Sequence, residues 1–398
     1  MKKFFAALTC VCLALTVAGC SAAPNDTKPD AAIPSGDVII TSPSEPFHSE
    51  QLQQPMHAIV MPTVSQNTLA DDGTVLFTRS YQRIQLILNG SEVETVIASD
   101  LEKRMNSILS GSADIEDFAR EDYTDPEFWA PYFTDISYTP TRIDQSVMSL
   151  FCNYSSFSGG IHPSLVTESV TYDLSTGNTL KLGDILMDGY SGADLSALIS
   201  AILAPVSDEL YYDYETYLQD IFSVNLNSIA NWYFSRTGLC FHFEPYEIAP
   251  YSSGTIPATI PYADLNGILR EQYLPQALPE ATGSMYAEAF LAEDAERFTF
   301  LAEVTLDEEG TEILLHPDAT VTDVRIETGT WYADGSRYIP ISTVFAADSV
   351  GLGNGILITA DLSQDAPVLR LVYCSGGQEV SAFIIYDEAG DAILLAHG

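Results

Sequence analysis

The first 55 residues set the strongest limit on how this chain folds, because their composition does not support a packed core. Lys2 and Lys3 precede an apolar run from Phe4 to Val17, which is too short for an ordinary membrane span but has the length and flanking charge of a signal segment. The stretch from 20 to 55 is rich in Pro, Ser, Thr, Asp and Ala, a composition typical of extended linkers. We therefore predict a signal peptide at 1–19, a tether at 20–55 and a folded body from about residue 56.

The end of the apolar run resembles the lipobox of bacterial lipoproteins. In that motif an aliphatic residue and two small residues precede a cysteine, as Val17-Ala18-Gly19 precede Cys20 in this chain. The resemblance implies that Cys20 is acylated and becomes the first residue of the mature chain. An ordinary secretory signal that contains a cysteine is the alternative. The lipoprotein interpretation predicts an extracytoplasmic body that is anchored to the bacterial cell membrane by its N-terminal lipid alone.

The charge of the chain restricts the partners of that body. Lys and Arg number 16 against 55 Asp and Glu, which gives a formal net charge of −39. This excess disfavours nucleic acid, whose phosphates require basic side chains, and it disfavours electrostatic binding to anionic lipid. It permits a cationic partner, or it serves solubility alone. Hydrophobic residues make up 46% of the chain, which is enough apolar material for a packed core.

The remaining cysteines and the known catalytic motifs give no sign of a metal or a cofactor. Cys152, Cys240 and Cys374 are far apart and have no Cys-x-x-Cys or Cys/His spacing, which disfavours zinc. Cys152 and Cys240 form a disulfide in one interpretation and are buried free thiols in the other. The sequence has no G-x-S-x-G, H-E-x-x-H, P-loop or dinucleotide motif, and its many carboxylates make any single pair uninformative. We therefore predict no catalytic residue, metal or cofactor.

The pattern of apolar residues predicts an α+β fold with several parts. Residues Thr74–Leu88 form one long strand in this prediction, and Ser91 with Glu94 caps a helix that ends at Gly111. A helix is predicted over Ala193–Leu203, and a hairpin over Asn231–Phe243 around Arg236-Thr237-Gly238. Another helix, rich in Tyr and acidic residues, is predicted over Asp208–Phe222, with either a solvated face or a site for Ca²⁺ or a basic protein. Short strands and turns beyond residue 280 are typical of an all-β sandwich. The predicted domains are a strand–helix domain at 56–136, a mixed sheet-and-helix domain at 137–275 and a sandwich at 280–398.

The middle domain carries motifs that are similar to a known extracellular domain. They are Ser158-Gly159-Gly160-Ile161-His162-Pro163, Thr171-Tyr172-Asp173-Leu174-Ser175-Thr176-Gly177 and the Pro- and Tyr-rich Phe241–Tyr251. Together they resemble the extracellular domain of unknown function that occurs in RsiV-type anti-sigma factors and in PdaC-type peptidoglycan deacetylases. The resemblance covers roughly Ser137–Leu269, and residues Thr74–Leu109 resemble the companion domain that usually precedes it.

This resemblance implies a binding module. The RsiV-type domain binds lysozyme, and the sequence has no counterpart of the PdaC catalytic domain with its Asp-Asp metal motif. The expected function is therefore non-catalytic recognition of a lysozyme-like protein or of peptidoglycan at the cell surface. An envelope carbohydrate hydrolase that uses a carboxylate pair and a passive surface spacer are the alternatives. Loops that carry Gly, His, Tyr and Pro are the candidate binding surface, against the alternative of a structural turn and a packed corner: Ser158, Gly159, Gly160, His162, Tyr246, Pro250 and Tyr251.

Overall fold

The computed structural model describes residues 56–88, 92–275, 281–331, 338–363, 366–387 and 392–397. The predicted signal peptide, the tether and Cys20 lie outside these residues, as does Ser91 of the predicted capping box. Helices and strands alternate without a regular βαβ repeat, and the strands form several sheets. The α+β fold class that the sequence predicts is confirmed.

Strands occur along the whole described part of the chain, from residue 57 to residue 397. In chain order they are β1 (His57–Val60), β2 (Val64–Leu69), β3 (Val75–Tyr81), β4 (Ile84–Ile87), β5 (Tyr132–Ile143), β6 (Val147–Phe157), β7 (Ser164–Asp173), β8 (Trp232–Phe234), β9 (Gly238–Phe243), β10 (Ile256–Pro261), β11 (Met285–Ala289), β12 (Thr299–Thr305), β13 (Thr311–Pro317), β14 (Val321–Trp331), β15 (Tyr338–Val350), β16 (Asn354–Ala360), β17 (Val368–Ser375), β18 (Gln378–Asp387) and β19 (Ala392–His397).

The α-helices lie mainly in the first two thirds of the chain. They are α1 (Glu92–Gly111), α2 (Ala113–Asp122), α3 (Leu182–Ile185), α4 (Gly192–Leu203), α5 (Tyr214–Phe222) and α6 (Asp294–Arg297). No helix among the described residues is long and apolar enough to cross a lipid bilayer.

A five-stranded sheet in the order β2-β3-β5-β6-β7 forms the first layer. Strands β3 and β5 are parallel, which requires a crossover connection, and α1 and α2 lie within it. Helix α1 buries Ile97, Leu101 and Met105 against this sheet. The boundary predicted at residue 136 falls inside β5, which pairs with β3 on one side and with β6 on the other. The first two predicted domains therefore share one sheet.

The long strand predicted over Thr74–Leu88 is wrong, because the chain leaves one sheet and enters another within it. Strand β3 belongs to the five-stranded sheet, whereas β4 pairs with β1 in a different sheet. Gln82 and Arg83 lie between them without strand pairing. The apolar residues change phase across this break, from Phe77 and Tyr81 at odd positions to Ile84 and Leu86 at even positions, and this shift is the local trace of the break in the sequence.

A second layer combines α3, α4 and α5 with a three-stranded sheet in the order β10-β9-β8. The hairpin predicted around Arg236 is present as β8 and β9. The helix predicted over Asp208–Phe222 is wrong in its first part, since a 3₁₀ helix spans Ala204–Glu209 and α5 begins only at Tyr214. The Tyr211 amide donates to the Ile248 carbonyl instead (2.9 Å), so this segment is bound by a tertiary contact.

The C-terminal strands form two facing sheets around one core. The four-stranded sheet has the order β11-β13-β16-β12, and the seven-stranded sheet has the order β19-β18-β17-β14-β15-β1-β4. Ile313 and Ile358 of the first sheet belong to the same core cluster as Phe345 and Leu371 of the second. Two strands of the larger sheet, β1 and β4, come from residues that the sequence analysis assigns to the first domain. Distant parts of the chain therefore complete this sandwich.

Candidate functional site

Two loops that the sequence analysis selects lie against each other. The first connects β6 to β7 and holds His162, and the second follows β9 and holds Tyr246 and Tyr251. The His162 ring stacks on Tyr251 with ring centroids 4.0 Å apart, and the Tyr246 ring centroid lies 5.7 Å from that of Tyr251. We call these three side chains the aromatic loop surface.

Hydrogen bonds hold the two loops together. The Tyr251 hydroxyl donates to the Pro163 carbonyl at 2.9 Å, and the Tyr246 hydroxyl lies 3.4 Å from His162 Nε2. His162 Nδ1 lies 2.8 Å from the Pro163 carbonyl oxygen as well. The stacked rings and these contacts join the two loops into a single surface.

Tyr246 has a backbone conformation that side chains rarely adopt. Its φ is 74°, in the left-handed region, where a bulky residue costs roughly 1–2 kcal/mol. A tight turn imposes this φ, since the Tyr246 amide donates to the Ala249 carbonyl (3.0 Å) and the Glu247 amide to the Glu244 carbonyl (3.0 Å). The Tyr246 side chain nevertheless stays 38% exposed. A strained backbone that presents an aromatic ring to solvent is typical of a binding surface.

The glycines of the first loop are required by its geometry. Gly159 and Gly160 have φ values of 80° and 125°. A Cβ at Gly159 would collide with the hydroxyl of Tyr132, which donates to Asp122 Oδ2 (2.8 Å). Burial, followed by the Asp122 carboxylate, raises the pKa of Tyr132 to about 12. The close approach of Tyr132 therefore fixes where the loop turns toward His162.

The other predicted candidates surround the aromatic loop surface. Ser158 is exposed at the start of the glycine turn, and Ile161 is 65% exposed beside His162 in the chain. Pro250 is exposed and caps a 3₁₀ turn at Tyr251–Ser253. The structure thus brings His162, Tyr246 and Tyr251 into contact, while Ser158, Gly159, Gly160 and Pro250 shape the two loops.

Two glutamates that the sequence analysis did not single out hold the second loop in place. Glu244 Oε1 accepts from the Thr167 amide (2.7 Å) and so ties the loop to β7. Glu247 accepts from the Glu244 amide (2.6 Å) and from the Tyr217 hydroxyl of α5 (2.7 Å). Burial and the Glu247 carboxylate raise the pKa of Tyr217, which keeps this hydroxyl a donor. These carboxylates act within the fold, and their sequence signal was lost among the many other acids.

An acidic, Tyr-rich segment adjoins the same loop. The hydrogen bond from Tyr211 to Ile248 places it there, and the Tyr212 side chain is fully exposed (100%). Its exposed carboxylates give this side of the surface a negative rim, and they belong to Asp208, Glu209, Asp213 and Glu215.

A buried histidine that the sequence analysis also missed lies beneath the second loop. His242 is 1% exposed, its Nδ1 is 3.0 Å from Thr167 Oγ1 and its Nε2 is 3.1 Å from Ser169 Oγ. Burial lowers the pKa of His242 to about 4, so the ring is neutral at physiological pH. The Ser169 hydroxyl donates its one proton to the Trp232 carbonyl (2.7 Å) or to the Ala230 carbonyl (2.9 Å), an arrangement that favours the tautomer in which His242 Nε2–H donates to Ser169. This order is the reverse of a serine nucleophile that is activated by a histidine base. The group connects β7 to β9.

Cys152 and Cys240 are both free and buried, so the disulfide interpretation is wrong and the free-thiol interpretation applies. Burial raises the pKa of the Cys152 thiol to about 12. The described residues contain no group of three or more His, Cys, Asp or Glu side chains that is arranged to hold a metal ion.

Residues 184–263 match the model of DUF3298, a family of proteins of unknown function. The match includes α4, α5, the three-stranded sheet, His242, Tyr246 and Tyr251, while His162 lies outside it.

Two solved structures are similar to this chain. A DUF3298 family member from Bacteroides fragilis is 18% identical with a TM-score of 0.41, and the alignment covers 56% of this chain and 96% of that one. A DUF3298 family protein from Pseudomonas aeruginosa PAO1 is 15% identical with a TM-score of 0.40, and the alignment covers 56% and 99%. A comparison with curated proteins finds no match.

Proposed function

We propose that this chain is a lipid-anchored, extracytoplasmic binding protein that recognises a cationic protein of the lysozyme type through its aromatic loop surface. The observation that supports this most directly is the contact of His162, Tyr246 and Tyr251, in which a strained backbone presents an exposed ring. Aromatic side chains held in fixed positions are the usual anchors of protein interfaces.

The acidic rim supports a cationic partner. Exposed carboxylates on the segment that holds Tyr212 adjoin the second loop, and the whole chain has a formal net charge of −39. Positive charge on a partner would raise its rate of association with this protein, and this increase would become smaller as the ionic strength rises. The resemblance to RsiV-type domains supports the same partner class, and peptidoglycan is the second ligand that it suggests.

The test is a calorimetric titration of the chain from residue 21 onward with lysozyme at physiological salt. Tyr246→Ala should weaken binding at least about tenfold, because truncation of an anchor costs about 2 kcal/mol or more. Tyr190→Ala is the matched control, since Tyr190 is also 38% exposed and belongs to a different loop. Heat no greater than that of dilution, or equal affinities for the wild type and Tyr246→Ala, would contradict the proposal. Sedimentation with insoluble peptidoglycan in place of lysozyme tests the second ligand.

A further inference from the structure

A cleft of ≈ 360 Å³ lies between the β8–β9 hairpin and strands β14 and β15 of the seven-stranded sheet, on residues that the proposed function does not use. Its volume falls within the usual range of small-ligand pockets. Strands β5, β8, β14 and β15 supply its walls, and the side chains that matter below are Tyr233, Arg236, Arg325, Glu327, Ile341 and Ser342.

The charges around the cleft are balanced. Arg236 Nη1 lies 2.9 Å from Asp323 Oδ2, and its other terminal nitrogen contacts Glu379. Arg325 Nη1 lies 3.3 Å from Glu327 Oε1. Arg370 Nε also donates to Glu327 (2.9 Å), so three guanidinium groups face three carboxylates. Since the acids already engage the cations, neither a cationic nor an anionic ligand gains a free counter-charge here.

Two polar groups of the cleft walls have no partner among the described residues. They are Arg325 Nε and Ser342 Oγ, and both atoms are buried. A buried donor without a partner destabilises the folded chain, and a ligand oxygen that reaches it would satisfy it. Thr139, Thr237 and Thr343 add further hydroxyl-bearing side chains to the walls. The cleft therefore offers donors and acceptors together.

We propose that this cleft binds one neutral saccharide unit. Sugar hydroxyls donate and accept, so they match Arg325 and Ser342 on one side and the Glu327 carboxylate on the other. The ring of Tyr233 and the side chain of Ile341, which is 67% exposed, supply apolar surface for the C–H face of a sugar. A neutral ligand also leaves the balance between the three guanidinium groups and the three carboxylates intact.

The test is titration of the full chain, with Cys20→Ser to prevent acylation, against glucose and N-acetylglucosamine at millimolar concentration, followed by saturation-transfer NMR. We expect at least one of these sugars to bind. Ser342→Leu should weaken that binding about tenfold or more, because its side chain fills the cleft and removes the hydroxyl.

Ser349→Leu is the matched control, since Ser349 lies on the same strand, is also half-buried and is not part of the cleft. It should bind as the wild type does, and so should Tyr246→Ala, which separates this proposal from the proposed function. Arg325→Lys, which lacks the Nε donor, is a second variant that should weaken binding if Ser342→Leu fails to fold. The proposal is overturned if neither sugar binds, if folded Ser342→Leu or Arg325→Lys binds as the wild type does, or if glucuronate binds and both neutral sugars do not.

Discussion

The imidazole of His162 lies against the phenol ring of Tyr251, with ring centroids 4.0 Å apart and 28° between the planes. These residues are 89 positions apart in the chain, on loops of two different sheets. Their contact joins the two loops into one surface, and variants of Tyr251 and Tyr246 test what that surface contributes to stability and to binding.

The Tyr251 hydroxyl should contribute to stability apart from its ring. Tyr251→Phe keeps the stack on His162 and removes the hydrogen bond to the Pro163 carbonyl, so the free energy of unfolding should fall by about 1 kcal/mol. Tyr251→Ala should cost more, because it also removes the stack. Urea denaturation of both variants provides the measurement. A Tyr251→Phe variant as stable as the wild type would argue against a separate role for the hydroxyl, and equal losses in the two variants would show that the stack adds nothing.

Replacement of Tyr246 by glycine or by alanine should affect stability differently but weaken binding equally. Glycine adopts a φ of 74° without strain, so Tyr246→Gly should be more stable than Tyr246→Ala by about 1 kcal/mol. Both variants lack the ring and should bind lysozyme equally weakly. Urea denaturation measures the stability of the two variants, and calorimetry measures their affinity for lysozyme. The reverse order, with alanine more stable than glycine, would show that the turn relaxes when the ring is absent.

His242 should make the protein less stable in acid. Its pKa is about 4 in the folded chain against 6.5 ordinarily, so the unfolded chain binds this proton first as pH falls. The stability that the neutral ring provides is complete above about pH 6.5 and declines toward pH 4, by about 3 kcal/mol at most.

Another group opposes this dependence, because burial raises the pKa of Asp348 to about 6. The measurement is therefore the difference between the wild type and His242→Gln in urea denaturation at about pH 7.5 and about pH 4.5. The advantage of the wild type should shrink at the lower pH. A constant difference would mean that His242 does not titrate as its burial requires.

The buried thiols should be inert in the folded protein. In the chain from residue 21 onward, alkylation with iodoacetamide near neutral pH should leave Cys152 and Cys240 unmodified, since burial raises the pKa of both. Cys374 is only half-buried and should react first. Mass spectrometry before and after denaturation counts the adducts. A reductant should not change the melting temperature, because no disulfide joins these residues.

Cys20 should decide where the protein resides. Cys20→Ser removes the predicted acylation site, so the protein should move from the membrane fraction to the soluble extracytoplasmic fraction. Cys10→Ser, within the same apolar run, is the control and should not change the distribution. Fractionation and mass spectrometry of the N-terminus report the outcome, and a membrane-bound Cys20→Ser protein would contradict the lipoprotein interpretation.

Local sequence signals predicted several elements well. The hairpin around Arg236 and the helix at Gly192–Leu203 follow from turn residues and apolar spacing, which act between neighbours in the chain. The selection of His162, Tyr246 and Tyr251 rested on residue type and on family resemblance, and neither gives a distance. Glu244, Glu247 and His242 were missed because their importance depends on partners in other elements, such as Thr167.

The sequence by itself determined the α+β class and local elements such as the helix at Gly192–Leu203, since propensity and periodicity are local properties. Residue type and the family resemblance selected the residues of the two loops. Only the tertiary structure decided which strands pair. It divided Thr74–Leu88 between two sheets, placed β1 beside β15 and brought His162 to Tyr251. Pairing depends on the burial of apolar faces between segments that are distant in the chain, and no local pattern records which distant segment will supply the other face.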